Sequence, residues 1–154
     1  PFWRQFWPRF IHAVYYFFFY SVINSNIKSD LDNELIDKIN DLGKNVDDKM
    51  NNLEVGSALD SIFDLLRRSN KYIDETTPWI LAKDETQSDR LQTVLYNLLE
   101  AIRVSAVYLE SFLPSTAKEI FRQLGIDKRQ DIYANDNIYK TEKPQPLFNR
   151  IDIK

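Results

Sequence analysis

From Leu91 to Phe112, apolar or small side chains recur at Leu91, Leu95, Leu98, Ile102, Ser105, Leu109 and Phe112, in alternating steps of four and three. That spacing keeps a single seam on one side of an α-helix. A seam of this kind is stable only with other helices laid along it, so the chain needs partners for it. It holds them. Leu31, Leu35, Ile39, Leu42, Val46, Met50 and Leu53 define a helix opening at Asp30, with Asp32 and Glu34 suited to its first turn. Gly43 lies inside that pattern and weakens it by about 1 kcal/mol relative to alanine. After a turn at Asn51 and Asn52, the residues Leu59, Ile62, Phe63, Leu66 and Ile73 define another helix. Ser88 is placed to cap the seam helix and Pro114 to stop it. A short helix with a capping box of Thr116 and Glu119 then runs to Gly125. With only 3 glycines, an all-β chain with many tight turns is excluded. The expected fold is all-α: an antiparallel helical bundle of about five helices with an irregular C-terminal tail. Residues 24–125 form the bundle, entered through a linker at 24–28, and 126–154 the tail. Pro144 and Pro146 enforce extended backbone there, and the tail is expected to be loosely held.

A chain of 154 residues is one domain and long enough to bury a real core. There is no cysteine, which excludes disulfides and Cys-ligated metal sites, and His12 is the single histidine. The net charge of −3 is not that of a general polyanion binder. Between Asp30 and Asp64, ten acidic residues face three lysines. That run reads as a solvated helix face turned away from any nucleic-acid backbone.

Residues 1–23 stand apart. Eleven of the first twenty are aromatic, and no charge other than His12 lies between Phe10 and Ile23. Three readings fit: a buried first helix of the bundle, a signal or membrane segment behind Arg4 and Arg9, or a stretch foreign to the native reading frame. The uncharged run is shorter than the roughly 20 residues that span a bilayer. A membrane-associated helical interaction protein, anchored by this segment, is the rival functional class.

The stretch from Asn70 to Glu85 carries the candidate site. A helix pattern breaks at Pro78, and Trp79 follows, the sole tryptophan beyond residue 7. One reading makes Trp79 a plug for the end of the bundle. The other makes it a flat platform for a planar ligand at a helix terminus. Arg67, Arg68 and Lys71 lie upstream, in what reads as the basic end of the helix. They suit either the helix dipole or phosphate groups. Asn70, Tyr72, Ile73, Asp74, Pro78, Trp79, Ala82 and Lys83 closely resemble the signature of the anticodon-binding domain of methionyl-tRNA synthetases. The resemblance continues through Leu95–Leu98, Phe112–Pro114, Thr116–Ala117, Phe121–Gly125 and Pro146–Asp152, and so covers roughly residues 30–154.

That resemblance implies recognition of the tRNA-Met anticodon loop, with the Pro78–Trp79 pair presenting the ring to a base. It also implies an Asn-x-x-x-Arg pair on the first helix, in whose positions Gln5 and Arg9 stand here with Pro8 between them. The ATP-binding motifs of the family's catalytic domain are missing, and no catalytic, metal or cofactor constellation is found. The chain therefore reads as the C-terminal, anticodon-binding part of a cytoplasmic methionine-tRNA ligase. It is inactive alone and partnered by the catalytic domain that holds ATP.

Overall fold

The computed structural model describes residues 29–142, together with Gln145 and Leu147. Four helices and one short helical turn account for most of this span: α1 (Asp30–Asn51), α2 (Val55–Thr76), α3 (Pro78–Leu81), α4 (Ser88–Leu109) and α5 (Pro114–Leu124). The bundle is all-α, as the periodicity demands. The expectations for residues 1–23, including Gln5 and Arg9, lie outside the described residues, as do those for 24–28 and for most of 143–154.

α1 begins on a capping box that the sequence reading missed. The Ser29 hydroxyl and N–H both donate to the Asp32 carboxylate, while the Asp32 N–H donates back to the Ser29 carbonyl at 3.0 Å. Leu35, Ile39, Leu42 and Val46 are buried as their spacing requires. Met50 and Leu53 are not: both are exposed. α4 runs alongside α1 only as far as Tyr108, which lies against Gly43. Past that point, among the described residues, α2 is the element beside α1, and Met50 and Leu53 at the tip of their hairpin are exposed.

α2 returns antiparallel to α1 and buries Ala58, Ile62, Leu65, Leu66, Tyr72 and Ile73. It runs to Thr76, so its last turn holds Asp74 and Glu75 and no basic residue. Arg67, Arg68 and Lys71 therefore do not sit at the helix end, and the helix dipole gives no reason for their presence.

α4 is the centre. The expected seam is buried at Leu91, Leu95, Leu98, Ile102, Ser105 and Leu109, but so are Thr93, Tyr96, Asn97, Glu100 and Arg103 on its other sides. α1, α2 and α5 all pack on it, and the tail covers what they leave. Ser88 is its first residue and not its cap. A single turn at Glu85–Gln87 precedes it, capped by Asp84, whose carboxylate accepts from the Thr86 N–H at 3.0 Å and the Thr86 hydroxyl at 2.6 Å.

α5 starts at Pro114, two residues before the expected box, because proline suits a first helical position. Thr116 is thus inside the helix, and Glu119 pairs with Arg122 instead, at 2.7 Å. The helix ends at Gly125, where φ is +64°.

Over the described residues 126–142 the tail is irregular but held in place. The side chain of Arg103 donates to the carbonyls of Lys128, Gln130 and Ile132. Tyr133, Asn137 and Tyr139 are buried, and the rings of Tyr133 and Tyr139 meet Tyr96 edge-on at 6.1 and 5.7 Å between centroids. The Glu142 N–H then donates to the Gln123 carbonyl at 2.8 Å. A segment without helical period is held because buried polar side chains of α4 satisfy its backbone.

Candidate functional site

The chain between α2 and α4 makes one sharp excursion, and Trp79 is at its turn. Thr77 ends α2 and starts α3 in a left-handed conformation, with φ +43° and ψ 59°. A β-branched residue is strained there. The turn is secured on both sides. The Thr77 N–H donates to the Ile73 carbonyl at 3.0 Å, and the Thr77 carbonyl accepts from the Ile80 N–H at 2.8 Å. The Thr76 hydroxyl donates to the Tyr72 carbonyl at 2.7 Å.

Pro78 occupies the first position of α3 and is buried, while Trp79 is 46% exposed and Ile80 beside it is also exposed. The proline anchors the turn and the tryptophan does not plug the bundle. A half-exposed indole on a short helix fixed at its base offers a face for stacking. Lys83, four residues on, is exposed.

The three upstream cations have different places. Arg67 is exposed and paired with Asp64. Lys71 is exposed and 3.5 Å from Glu75. Both pairs are of the solvent-exposed kind that costs little to exchange. Arg68 is only 7% exposed. Its Nε and Nη2 fork onto the two oxygens of Glu34 at 2.8 and 3.0 Å, and its Nη1 reaches Glu75 at 3.0 Å. The Arg68 side chain, expected as a candidate phosphate contact, joins α1 to α2 here, with its donors turned onto carboxylates.

Beneath the excursion lies a polar cluster that sequence reasoning missed. The Asp32 carboxylate accepts from the Tyr72 hydroxyl, from both terminal nitrogens of Arg90, and from the Asn97 amide at 3.3 Å. The Asn97 amide also donates to the Tyr72 oxygen at 3.2 Å, and the Tyr133 hydroxyl donates to the Asn97 carbonyl oxygen at 2.7 Å. Burial works to raise the Asp32 carboxyl, but the hydrogen bonds from Arg90, Tyr72 and the Ser29 N–H outweigh it and hold the group below the usual carboxylate range. Burial, joined by the Asp32 charge, pushes the Tyr72 phenol well above its ordinary value. An ionised Asp32 accepting from a protonated Tyr72 suits a structural bond. The signal for Asp32 was present as Ser29-x-x-Asp32. Nothing in the spacing said that Arg90 and Tyr72 would meet it.

No helix among the described residues is long and apolar enough to cross a membrane. The membrane reading rests on residues 1–23 alone.

Comparison with known proteins bears on this arrangement. Residues 22–146 match the family described as the anticodon binding domain of methionyl tRNA ligase. The methionine–tRNA ligase of Clostridium acetobutylicum is 47% identical over 131 residues, covering 82% of this chain and 20% of the relative. That of Bacillus subtilis is 42% identical over 113 residues, covering 68% of this chain and 17% of the relative. The chain thus spans about a fifth of the length of these relatives. A crystal structure of the apo methionyl-tRNA synthetase of Mycobacterium tuberculosis superposes with a TM-score of 0.85 over 97% of this chain and 32% of that one, at 24% identity, and shares the fold.

Proposed function

This chain belongs to the family of methionyl-tRNA ligase anticodon-binding domains, and from that premise we propose that it reads the anticodon loop of tRNA-Met through Trp79. The observation that carries the reading is the half-exposed indole of Trp79, held at its base by the buried Pro78. Bases of a single-stranded loop splay out and stack on such rings, and one stacked base contributes about 1–3 kcal/mol. Arg67 and Lys71 lie on exposed turns of α2 leading to the ring and meet the loop's phosphates, which positions the RNA without specifying sequence. Gln5 and Arg9 add base contacts in the same reading.

The activity of the longer protein is part of the proposal: it charges tRNA-Met with methionine using ATP, in the cytoplasm, with ATP held by a catalytic domain outside this chain. That domain grips the acceptor end and supplies affinity that one stacked ring does not.

The test is binding of the full chain to an RNA hairpin bearing the methionine anticodon, against one with its first anticodon base changed. Binding is expected to be weak and strongly reduced by salt. Trp79→Ala should remove about 1–3 kcal/mol and erode the preference for the cognate hairpin. Arg67→Ala should weaken both hairpins equally. A folded Trp79→Ala variant that binds and discriminates like the parent would overturn the reading, as would a parent that does not distinguish the two hairpins.

A further inference from the structure

We propose that Asp32 is a positioning residue for the base platform: its buried carboxylate fixes the orientation of Trp79, and through it the discrimination between anticodons. The proposal rests on the stacking role of Trp79 for its consequence in RNA binding, but not for its structural content.

The excursion that carries Trp79 leaves the bundle at the end of α2 and rejoins it at the start of α4. Asp32, on α1, binds both ends. Its carboxylate accepts the Tyr72 hydroxyl, seven residues before Trp79, and the Arg90 guanidinium, eleven residues after it. The segment between these two residues also packs on α4 through α3 and the buried Pro78, and the Asp32 carboxylate ties it at both ends. Arg90 also donates to the Ser29 hydroxyl at 3.2 Å, so the cap of α1 and the entry of α4 are locked together. From Tyr72 the connection to the ring is short. The Tyr72 carbonyl accepts the Thr76 hydroxyl, Thr76 adjoins the left-handed Thr77, and Thr77 caps the helix on which Trp79 stands. A strained residue at that point persists only if its surroundings determine it, and the Asp32 bonds are the part of those surroundings that reaches both ends. The arrangement has the form of a reading group supported by buried hydrogen-bonded partners that touch no ligand themselves.

The experiment uses the full chain with Trp3 and Trp7 replaced by phenylalanine, so that Trp79 alone reports. Two variants are compared with this parent: Asp32→Asn, which keeps the shape and removes the charge, and Tyr72→Phe, which removes one hydroxyl and leaves the Asp32–Arg90 pair intact. Without RNA, both variants should show lower tryptophan anisotropy and faster acrylamide quenching at a helical signal equal to the parent's. With RNA, the preference for the cognate hairpin should fall by about tenfold, most of what a stacked base contributes, while affinity for the mismatched hairpin stays unchanged. Asp32→Glu, which keeps the charge, should restore part of the anisotropy. If Asp32→Asn does not fold, Tyr72→Phe decides alone. Unchanged anisotropy and quenching in a folded variant overturn the inference, whatever the RNA does. Loosened fluorescence together with a parent that never distinguishes the hairpins supports the positioning role and overturns the proposed function instead.

Discussion

Arg103→Met should be among the costliest single substitutions in the described fold, and its damage should appear first in the tail. Arg103 is fully buried and its guanidinium is spread over two tasks. Toward α4 it donates to Glu100 through Nε at 3.1 Å and Nη2 at 2.7 Å. Toward the tail it donates to the Ile132 carbonyl at 2.7 Å and to those of Gln130 and Lys128. Burial opposes its charge, and the bonds to Glu100 more than compensate, raising the group above its ordinary value. Methionine fills the same channel but leaves Glu100 as a buried carboxylate without its cation. Breaking a buried pair in this way costs about 3–5 kcal/mol, a large share of the roughly 5–15 kcal/mol that holds a domain together. Glu100 keeps three donors in the Ala134 N–H at 2.9 Å and the side chains of Asn137 and Tyr139. These favour the lower end of that range. The assay is urea unfolding followed by circular dichroism, beside limited trypsin digestion. Cleavage at Lys128 and Arg129 should rise before the helices are lost, because the tail loses three carbonyl contacts at once. Pairing the change with Glu100→Leu should cost less than the two single changes summed, since the stranded charge is gone. A loss under about 1 kcal/mol for Arg103→Met, or strict additivity in the double variant, would refute the account of a charge-paired clamp.

Leu98→Ala, at a fully buried seam position of α4, should lower stability by about 2–5 kcal/mol in the same urea assay. Gly125→Ala should be poorly tolerated and should detach the tail, since φ is +64° there and a Cβ would meet the Lys140 carbonyl carbon at 2.8 Å and its oxygen closer still; a trypsin pattern like the parent's would refute this. Asp32 has a folded-state pKa below its unfolded one, so the unfolded chain takes up its proton more readily. Its contribution is complete above the ordinary aspartate value of about 4 and is lost as pH falls through the lower folded value. The urea midpoint should therefore drop on acidification below about pH 4, and more steeply in the parent than in Asp32→Asn.

Much of this molecule was legible in the chain. The four-three seam of α4, the apolar face of α1 through Val46 and the stop at Gly125 are local signals, because each reports the geometry of a single helix or its end. The break at Pro78 with a tryptophan behind it is also local, and with the flanking signature it was enough to point to the family. The membership itself came from comparison.

Other features depend on what lies beside a residue, and periodicity carries no record of that. Arg68 reads as a cation near the site until α1 brings Glu34 under it. Met50 and Leu53 continue an apolar face but project beyond the end of α4, and no described element covers them. The tail has no pattern of its own, and the order of its described part comes from Glu100, Arg103 and Tyr96, side chains that the sequence places on what would have been the wet side of a bundle helix. Sequence by itself determined where the helices are, where they stop, and that an indole stands at one stop. Tertiary structure alone decided that Pro78 is buried while Trp79 is half-exposed, and that Asp32 ties Tyr72 to Arg90 beneath it. The reason is that helix formation is set by neighbours within a few residues, whereas burial and charge pairing are set by residues that only folding brings into contact.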